Sequence, residues 1–207
     1  IVLPGRLPIS ISRVYDSSDM TSSDFSAGWH LSISESLTVS GSTALLTDDR
    51  RVKHSLIMSD GHYVPTDSAT SAISSGSIAT NGDFLLTLKN GMTKRFTLIG
   101  DKFELSQVSD KFGNNFVVRY SGSKVSSIVS GTNAILTIHR NGSGQIGSVT
   151  SNTGQSVSYS YNSKGELQEF VDLGGQAWGY RYSGKSRLSK LFDPKGYLAA
   201  HIQYKND

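Results

Sequence analysis

Histidine is the residue type in this chain that best suits acid–base or metal chemistry, and the sequence holds five: His30, His54, His62, His139 and His201. None lies in an H-E-x-x-H motif or in another spacing typical of metal ligands. His54 and His62 stand eight residues apart across a predicted hairpin, where their side chains could meet. Without a carboxylate partner, we interpret them as surface residues. The histidines therefore indicate no catalytic or metal-binding residue.

Nucleophilic chemistry is equally poorly supported. The chain has no cysteine, so it has neither a disulfide framework nor a thiolate ligand. There is no Gly-x-Ser-x-Gly motif, and Asn141-Gly142 is better interpreted as a hairpin turn than as part of a nucleophile loop. No glycine-rich loop opens a helix, because the sequence predicts no helix. We predict no enzyme, no cofactor and no cofactor-binding residue.

Two side chains near the amino terminus each have two possible roles. Trp29 is expected to anchor a core, since a ring of its size buries about 150 to 250 Å². The alternative for Trp29 is a ligand-stacking face. Arg13 could pair with a carboxylate such as Asp16, or lay its apolar stem along a sheet.

The chain is organised around an element that recurs: Asp or Asn, Gly two or three residues later, then an alternating strand that ends in Tyr. The clear copies start at Asp110, Asn152, Asp172 and Asp193, and their strands end at Tyr120, Tyr161, Tyr182 and Tyr204. The starts lie 42, 20 and 21 residues apart, which predicts a degenerate copy in the first gap, beginning at Gly131-Thr132-Asn133. Such periods are typical of units that bury their apolar faces by stacking on neighbours.

Each copy is predicted to be a hairpin. Asp or Asn before Gly favours a tight turn. Residues 155–161 alternate apolar side chains with Ser, which is the period of a strand with one covered face. A second turn, Asn162-Ser163-Lys164-Gly165, then opens the return strand. The tyrosines should form a ladder of neighbouring rings across the sheet.

Composition supports an all-β fold. The 207 residues include 36 Ser and 21 Gly, with only 18% charged residues. The sequence predicts an amino-terminal β domain over 1–101 and a repeat sheet of about five units of about 21 residues over 102–207. In the first domain it predicts strands around Ser59-Asp60-Gly61, a hairpin around Asn90-Gly91, and a mobile loop or boundary over Ser68 to Ser77.

Charge and hydropathy exclude two classes of partner. Both charge signs are interspersed, and the tightest basic cluster, Lys185, Arg187 and Lys190, is interpreted as solvated positions on a return strand. We therefore expect no nucleic-acid partner. No run approaches about 20 apolar residues, so we expect no membrane span. The start at Ile1 suggests a piece of a longer protein.

The recurring D-x-x-G, strand to Tyr, and Gly165-Glu166-Leu167 return resemble the tyrosine-aspartate (YD) repeats of Rhs proteins. The segment from Leu3 to Ser17, followed by Phe25-Ser26-Ala27-Gly28-Trp29, is similar to the domain that precedes the repeats in bacterial Rhs toxins. One departure is Ala27, where the family more often has a second Gly before Gly-Trp. The resemblance covers most of the chain and is weakest between Ser40 and Asn81.

The resemblance implies a stack of antiparallel hairpins in a curved sheet, part of a larger β-shell that encloses a carboxy-terminal toxin domain. The implied partners are downstream shell repeats, that toxin domain, and a secretion-apparatus or chaperone protein. The implied location is secreted or at the cell surface, reached by a type VI or related secretion route in bacterial competition. The alternative is a cell-surface adhesion module in which the repeats bind carbohydrate. Asp193-Pro194-Lys195-Gly196 is similar to half of the family's self-cleavage motif, but the second Asp-Pro is missing, so we interpret it as an ordinary repeat turn.

Overall fold

The computed structural model describes residues 1–21, 24–67 and 71–205, and every regular element in these ranges is a β-strand. The predicted all-β class, with a large antiparallel sheet, is confirmed. Since this part of the chain forms no helix, it offers none that is long and apolar enough to cross a membrane.

The strands are, in chain order, β1 (Val2–Leu3), β2 (Ile9–Ser10), β3 (Arg13–Tyr15), β4 (Trp29–Leu31), β5 (Ser36–Ser40), β6 (Thr43–Thr47), β7 (Lys53–Ser59), β8 (His62–Pro65), β9 (Ile73–Ile78), β10 (Phe84–Leu88), β11 (Thr93–Ile99), β12 (Lys102–Ser109), β13 (Asn115–Ser121), β14 (Lys124–Ser130), β15 (Ile135–Arg140), β16 (Ile146–Ser151), β17 (Ser156–Tyr161), β18 (Leu167–Val171), β19 (Ala177–Tyr182), β20 (Leu188–Phe192) and β21 (Leu198–His201).

Contacts group the chain into two compact units, which we describe separately. The ring unit comprises Val2–Ser12 and Leu31–Ile135. The hairpin unit comprises Ile1, Arg13–His30 and the described chain from Leu136 onward. This grouping follows contacts rather than sequence order, and the boundary at residue 101 stays a prediction.

In the ring unit, strands β5 to β12 pair antiparallel in sequence order, and β12 then pairs with β5 through Phe103↔Leu37 and Glu104↔Ser36. The eight strands thus close on themselves. Their alternating side chains fill the interior, where Leu37, Leu56 and Phe84 are fully buried. Closure removes exposed strand edges, which would otherwise invite pairing with other chains.

The predicted hairpins of this unit are present. Asn90-Gly91 joins β10 to β11, with Gly91 at φ 83°, and the Asp60-Gly61 turn joins β7 to β8. The predicted loop over Ser68 to Ser77 is wrong from Ile73 onward, because β9 begins there; residues 68–70 lie outside the described residues. The small polar residues of β9 concealed a strand whose Ile73 and Gly76 are buried.

In the hairpin unit, strands β15 to β21 form an antiparallel meander in which consecutive strands pair. One turn geometry joins nearly all of them. A polar side chain at the first turn position accepts the backbone N–H groups two and four residues later, as Asn162 does from Lys164 and Glu166 at 2.9 and 3.0 Å. The fourth residue has positive φ, as Gly165 does at 74°. Such turns begin at Asn141, Ser151, Asn162, Asp172 and Asp193. The turn at Ser183 keeps the same backbone hydrogen bonds, but its hydroxyl has no hydrogen-bond partner within the described chain.

The predicted repeat holds, but the start of two copies shifts by one residue. The hydroxyls of Ser130 and Ser151, not the residues after them, occupy the position that Asp holds in the other copies. With this alignment the starts Asp110, Ser130, Ser151, Asp172 and Asp193 lie 20, 21, 21 and 21 residues apart. A serine hydroxyl can replace a carboxylate oxygen because either accepts backbone N–H bonds.

Three of the four repeat tyrosines, Tyr120, Tyr161 and Tyr182, lie at β-bulges. The pairing register shifts at Arg119/Tyr120, Ser160/Tyr161 and Arg181/Tyr182. A bulge re-aims a side chain and bends its strand, and here each hydroxyl donates to a backbone carbonyl on the preceding strand. Tyr161 reaches Ile146 at 2.6 Å and Tyr182 reaches Leu167 at 2.8 Å. The same bond joins Tyr120 to Leu105 and Tyr204 to Leu188. The sequence predicts a ladder of rings; the structure shows a ladder of hydroxyl-to-carbonyl bonds.

Candidate functional site: an arginine in an aromatic box

The described residues of the segment Arg13–His30, which we call the strap, lie against the meander of the hairpin unit. Within the strap, Gly28 takes φ 80° and the Trp29 N–H donates to Ser26 O at 3.0 Å, which closes a tight turn before β4. The positive φ falls on Gly28 and not on Ala27, so the departure from the family pattern at Ala27 leaves this turn intact. A side chain at Gly28 would collide with the Tyr15 ring at 2.7 Å.

The strap carries Arg13 into a box of four aromatic rings. The guanidinium carbon lies 3.9 Å from the centre of Phe170, 5.3 Å from Tyr180, 5.5 Å from Trp29 and 5.6 Å from Tyr159. All four are within the roughly 6 Å at which a cation is attracted to an aromatic face. The Arg13 guanidinium also donates to the Tyr180 hydroxyl. We call Arg13 and these four rings the aromatic box.

The meander builds the walls of the box from neighbouring strands. Tyr159 on β17 is paired directly with Phe170 on β18, and their rings stack with centroids 5.3 Å apart. Trp29 packs edge-on against Tyr180 of β19 at 5.3 Å. Since Tyr159 and Tyr180 are 21 residues apart, they are the same position in successive repeats. The repeat period thus supplies Tyr159 and Tyr180, β18 between them supplies Phe170, and the strap supplies Trp29 and the cation.

Trp29 is an anchor and not an open stacking face. It is only 6% exposed, and its indole N–H donates to the Tyr182 hydroxyl at 2.8 Å. That hydroxyl is the one that also donates to Leu167 O. Burial raises the pKa of Tyr182, and likewise that of Tyr161, so both hydroxyls stay protonated and able to donate.

The strap also contacts the meander through a series of backbone groups. The first residues of three return strands, Ile146, Leu167 and Leu188, lie 21 residues apart. Their N–H groups donate to strap atoms: to Asp24 O at 2.8 Å, to Ser26 Oγ at 3.2 Å and to Tyr15 Oη at 2.9 Å respectively. These N–H groups lie at bulges, where the sheet gives them no partner. The strap therefore satisfies one free donor in each of three successive repeats.

The degenerate repeat has its own contact with the strap. At the bulge of β15, Arg140 stands where the other repeats have tyrosine, opposite Ile146. Its guanidinium donates to the Asp24 carboxylate at 2.6 Å and to Gly144 O at 3.1 Å. The missing tyrosine is thus replaced by an ion pair to the strap.

In chemical terms this site binds and positions rather than reacts. Burial raises the pKa of the Tyr159 phenol and outweighs the opposing effect of Arg13, so the box holds one cation among neutral rings. Such an arrangement orders a segment through cation–π attraction and packing. Its observed occupant is the chain's own Arg13.

The histidines singled out from sequence are not brought together. The register of β7 and β8 places Ser59, not His54, opposite His62, and His54 instead contacts the Asp48 carboxylate at 2.9 Å. His139 contacts Thr150 Oγ1 at 2.8 Å. Across residues 1–21, 24–67 and 71–205, no three acidic or histidine side chains are grouped as a metal site.

The other candidate positions take ordinary structural places. Asp193 Oδ1 accepts the N–H groups of Lys195 and Tyr197, which is the turn geometry of every repeat. Lys185 and Lys190 are exposed, while the Arg187 guanidinium lies 5.2 Å from the Tyr204 ring. The solvated positions predicted for this cluster therefore hold for the two lysines.

Sequence reasoning missed the box. Neither alternative for Arg13 is found, because Asp16 accepts from Ser18 and the guanidinium itself lies among rings. The available signal was the spacing of Tyr159 and Tyr180, one repeat apart, with Phe170 on the strand between. The sequence gives no sign that Arg13, more than 140 residues earlier, would reach them.

The comparisons with known proteins bear on the amino-terminal part alone. Residues 1–55 match the family model of a domain of unknown function, DUF6531. This match includes the whole strap. A search of the curated proteins finds no match.

Proposed function

We propose that this chain is a structural segment of an Rhs-type toxin shell, which encloses a carboxy-terminal toxin domain for delivery by a type VI or related secretion route. The observation that carries the proposal is the repeated bond from each bulge tyrosine to the carbonyl of the preceding strand. Because each unit completes its neighbour's hydrogen bonding, the units form a wall that can be extended by adding further units.

Two further observations support the proposal. The strap belongs to the stretch matched by DUF6531, which is also where the sequence resembles the domain preceding Rhs repeats. The strap satisfies the free N–H groups of three successive repeats, so it is fitted to a repeat sheet and not to a generic surface. A wall-building role needs no reactive group, and the aromatic box supplies positioning only.

The test uses the full-length natural product. Limited proteolysis followed by mass spectrometry should release a carboxy-terminal piece that stays bound, without a covalent link, to a protected body containing this segment. If the segment instead separates as a free monomer with no associated cargo, the shell proposal fails.

The alternative, a carbohydrate-binding adhesion module built on the repeat rings, requires open aromatic faces. Trp29 and Tyr180 are 6% and 5% exposed, and Arg13 covers the box they line. These rings therefore favour packing over sugar binding. Hits on a glycan array that disappear on substitution of Tyr180 would restore the adhesion function.

A further inference from the structure

A polar cleft in the ring unit, away from the aromatic box, combines groups that suit one class of ligand. Two turns form its floor: the Asp110 turn between β12 and β13, and the Ser130 turn between β14 and β15. The Gly131 N–H donates to Asn115 O at 2.9 Å, which fixes one turn against the other. The bend around Gly5 comes within van der Waals reach of Thr132. The cleft has a volume of about 470 Å³, within the range of small-molecule sites.

The cleft is lined by a cation with no acidic side chain beside it. Arg6 and Leu7 form one wall, and no Asp or Glu is among the lining residues. Arg6 is exposed and forms no ion pair or hydrogen bond within the described chain. The nearby Asp110 carboxylate is occupied by Asn114 and two backbone N–H groups, which hold its pKa below the usual range. The guanidinium fork therefore remains open to a carboxylate.

The floor of the cleft offers both hydrogen-bond donors and hydrogen-bond acceptors. Asn114 and Asn115 each use one amide N–H, toward Asp110 and Gly113 O, and each keeps a second N–H and a carbonyl oxygen. The Ser130 hydroxyl accepts the backbone N–H groups of Thr132 and Ala134, so it donates its own hydrogen to the Thr132 hydroxyl at 2.8 Å. The Thr132 hydroxyl, which lines the cleft, keeps its own hydrogen to donate. Side-chain amides and a hydroxyl, next to an apolar wall at Leu7, match a ligand with several hydroxyl groups.

We propose that this cleft binds a hydroxylated carboxylate of the sugar-acid class, with Arg6 on the carboxylate and Asn114, Asn115 and Thr132 on the hydroxyls. The inference rests on the donor set and not on the shell proposal, so either can fail alone. It also does not involve the rings of the aromatic box.

The test is an NMR titration of the 207-residue chain with three probes: glucuronate, glucose and acetate. Glucuronate should give saturating amide shifts at residues 5–7, 113–115 and 130–132, and should bind at least tenfold more tightly than glucose or acetate. The tenfold figure corresponds to a charge-assisted hydrogen bond of about 1.5 kcal/mol. Absence of a saturating glucuronate response overturns the proposal.

Matched variants locate the binding. Arg6→Gln should weaken glucuronate at least tenfold, whereas Arg50→Gln, another exposed arginine at a turn of the same unit, should leave it unchanged. Thr132→Val should weaken glucuronate about threefold or more and leave acetate unaffected. Equal effects of the two arginine variants would overturn the role of Arg6. Glucose or acetate binding as tight as glucuronate would overturn the ligand class.

Discussion

The Tyr182 hydroxyl is the strongest test of how the strap is held, because it serves two buried groups at once. It donates to Leu167 O at 2.8 Å and accepts the indole N–H of Trp29 at 2.8 Å. Tyr161 occupies the same bulge position one repeat earlier, and its hydroxyl donates to Ile146 O at 2.6 Å. Tyr→Phe at these two positions therefore removes one oxygen from matched environments.

The two variants should lose different amounts of stability, because the two hydroxyls have different numbers of partners. Tyr161→Phe loses one donor, worth about 0.5–1.5 kcal/mol net. Tyr182→Phe loses the same donor and also leaves the buried N–H of Trp29 without its acceptor, which adds about 1–3 kcal/mol. We expect Tyr182→Phe to lower the free energy of unfolding by about 2–4 kcal/mol, at least 1 kcal/mol more than Tyr161→Phe.

Urea unfolding of both variants, followed by far-UV circular dichroism, measures the difference between their free energies of unfolding. The dependence of the unfolding free energy on urea concentration should be the same for both variants, so that the comparison is valid. A double-mutant cycle between Tyr182→Phe and Trp29→Phe should give a coupling energy of about 1 kcal/mol or more. Equal costs for the two Tyr→Phe variants, together with a coupling energy near zero, would refute the account of Tyr182 as a shared partner.

Three further predictions concern single contacts. In the ring unit, Lys94 bonds both oxygens of the buried Glu35 carboxylate at 2.8 and 2.6 Å, so Lys94→Met should destabilise by about 3–5 kcal/mol at neutral pH. Burial raises the pKa of Glu35 in the folded state, so the native chain holds this proton at a pH where the unfolded chain has lost it. The stability that this proton contributes is fully present below the pKa of Glu35 in the unfolded chain and is lost as pH rises through its pKa in the folded chain. Because protonation of Glu35 removes the charge that Lys94 pairs with, the destabilisation by Lys94→Met, read from urea midpoints, should shrink on acidification. A destabilisation that grows in acid would contradict this. Arg13→Met keeps an unbranched apolar stem but removes the guanidinium and its charge, and should lower stability by about 1–2 kcal/mol in thermal unfolding; an unchanged Tm would show that the cation does not stabilise the box. Gly76→Ala would place a methyl group 2.5 Å from the Phe84 ring and should cost about 1–3 kcal/mol in urea unfolding, with partial recovery in the Gly76→Ala, Phe84→Leu double variant; a neutral effect of the single variant would contradict the packing.

The repeat was predictable because its turn chemistry is local. A polar residue that accepts two N–H bonds, followed by a residue with positive φ, needs only five residues, and the sequence shows it wherever Asp or Asn comes before Gly. The shifted starts at Ser130 and Ser151 have the same local cause. At these two positions a serine hydroxyl accepts the backbone N–H groups that a carboxylate accepts elsewhere, so a pattern defined by Asp or Asn does not include them.

The aromatic box was not predictable, because its residues are far apart in the sequence and meet only in the folded chain. Arg13 reaches Tyr180 across 167 residues, and the contact depends on where the strap crosses the meander. A lone arginine on a strand carries no signal for that crossing. The strand β9 was missed for a related reason. Its Gly76 makes room for the Phe84 ring of the neighbouring strand, which is a contact between distant residues. From composition alone, Gly and Ser indicate a loop.

The exchange of tyrosine for arginine at position 140 shows how closely the strap and the meander are matched. In the other repeats of the hairpin unit, the bulge hydroxyl donates to a sheet carbonyl, and that of Tyr182 also contacts Trp29 and Ser26 of the strap, so a neutral hydroxyl suffices. At Arg140 the neighbouring strap residue is Asp24, and a tyrosine there would leave that half-buried carboxylate without its cation. Two of the three strap-bound repeats keep tyrosine, and the third carries an arginine where the adjacent strap residue is an aspartate. Units that lie under the strap are fitted one by one to its residues, so they are not interchangeable, whereas a repeat without a strap contact needs only the tyrosine bond to its neighbour. If the chain is a shell segment, we expect an arginine at the bulge of a repeat to mark a place where an acidic residue of another segment lies on the wall, as Asp24 does at Arg140.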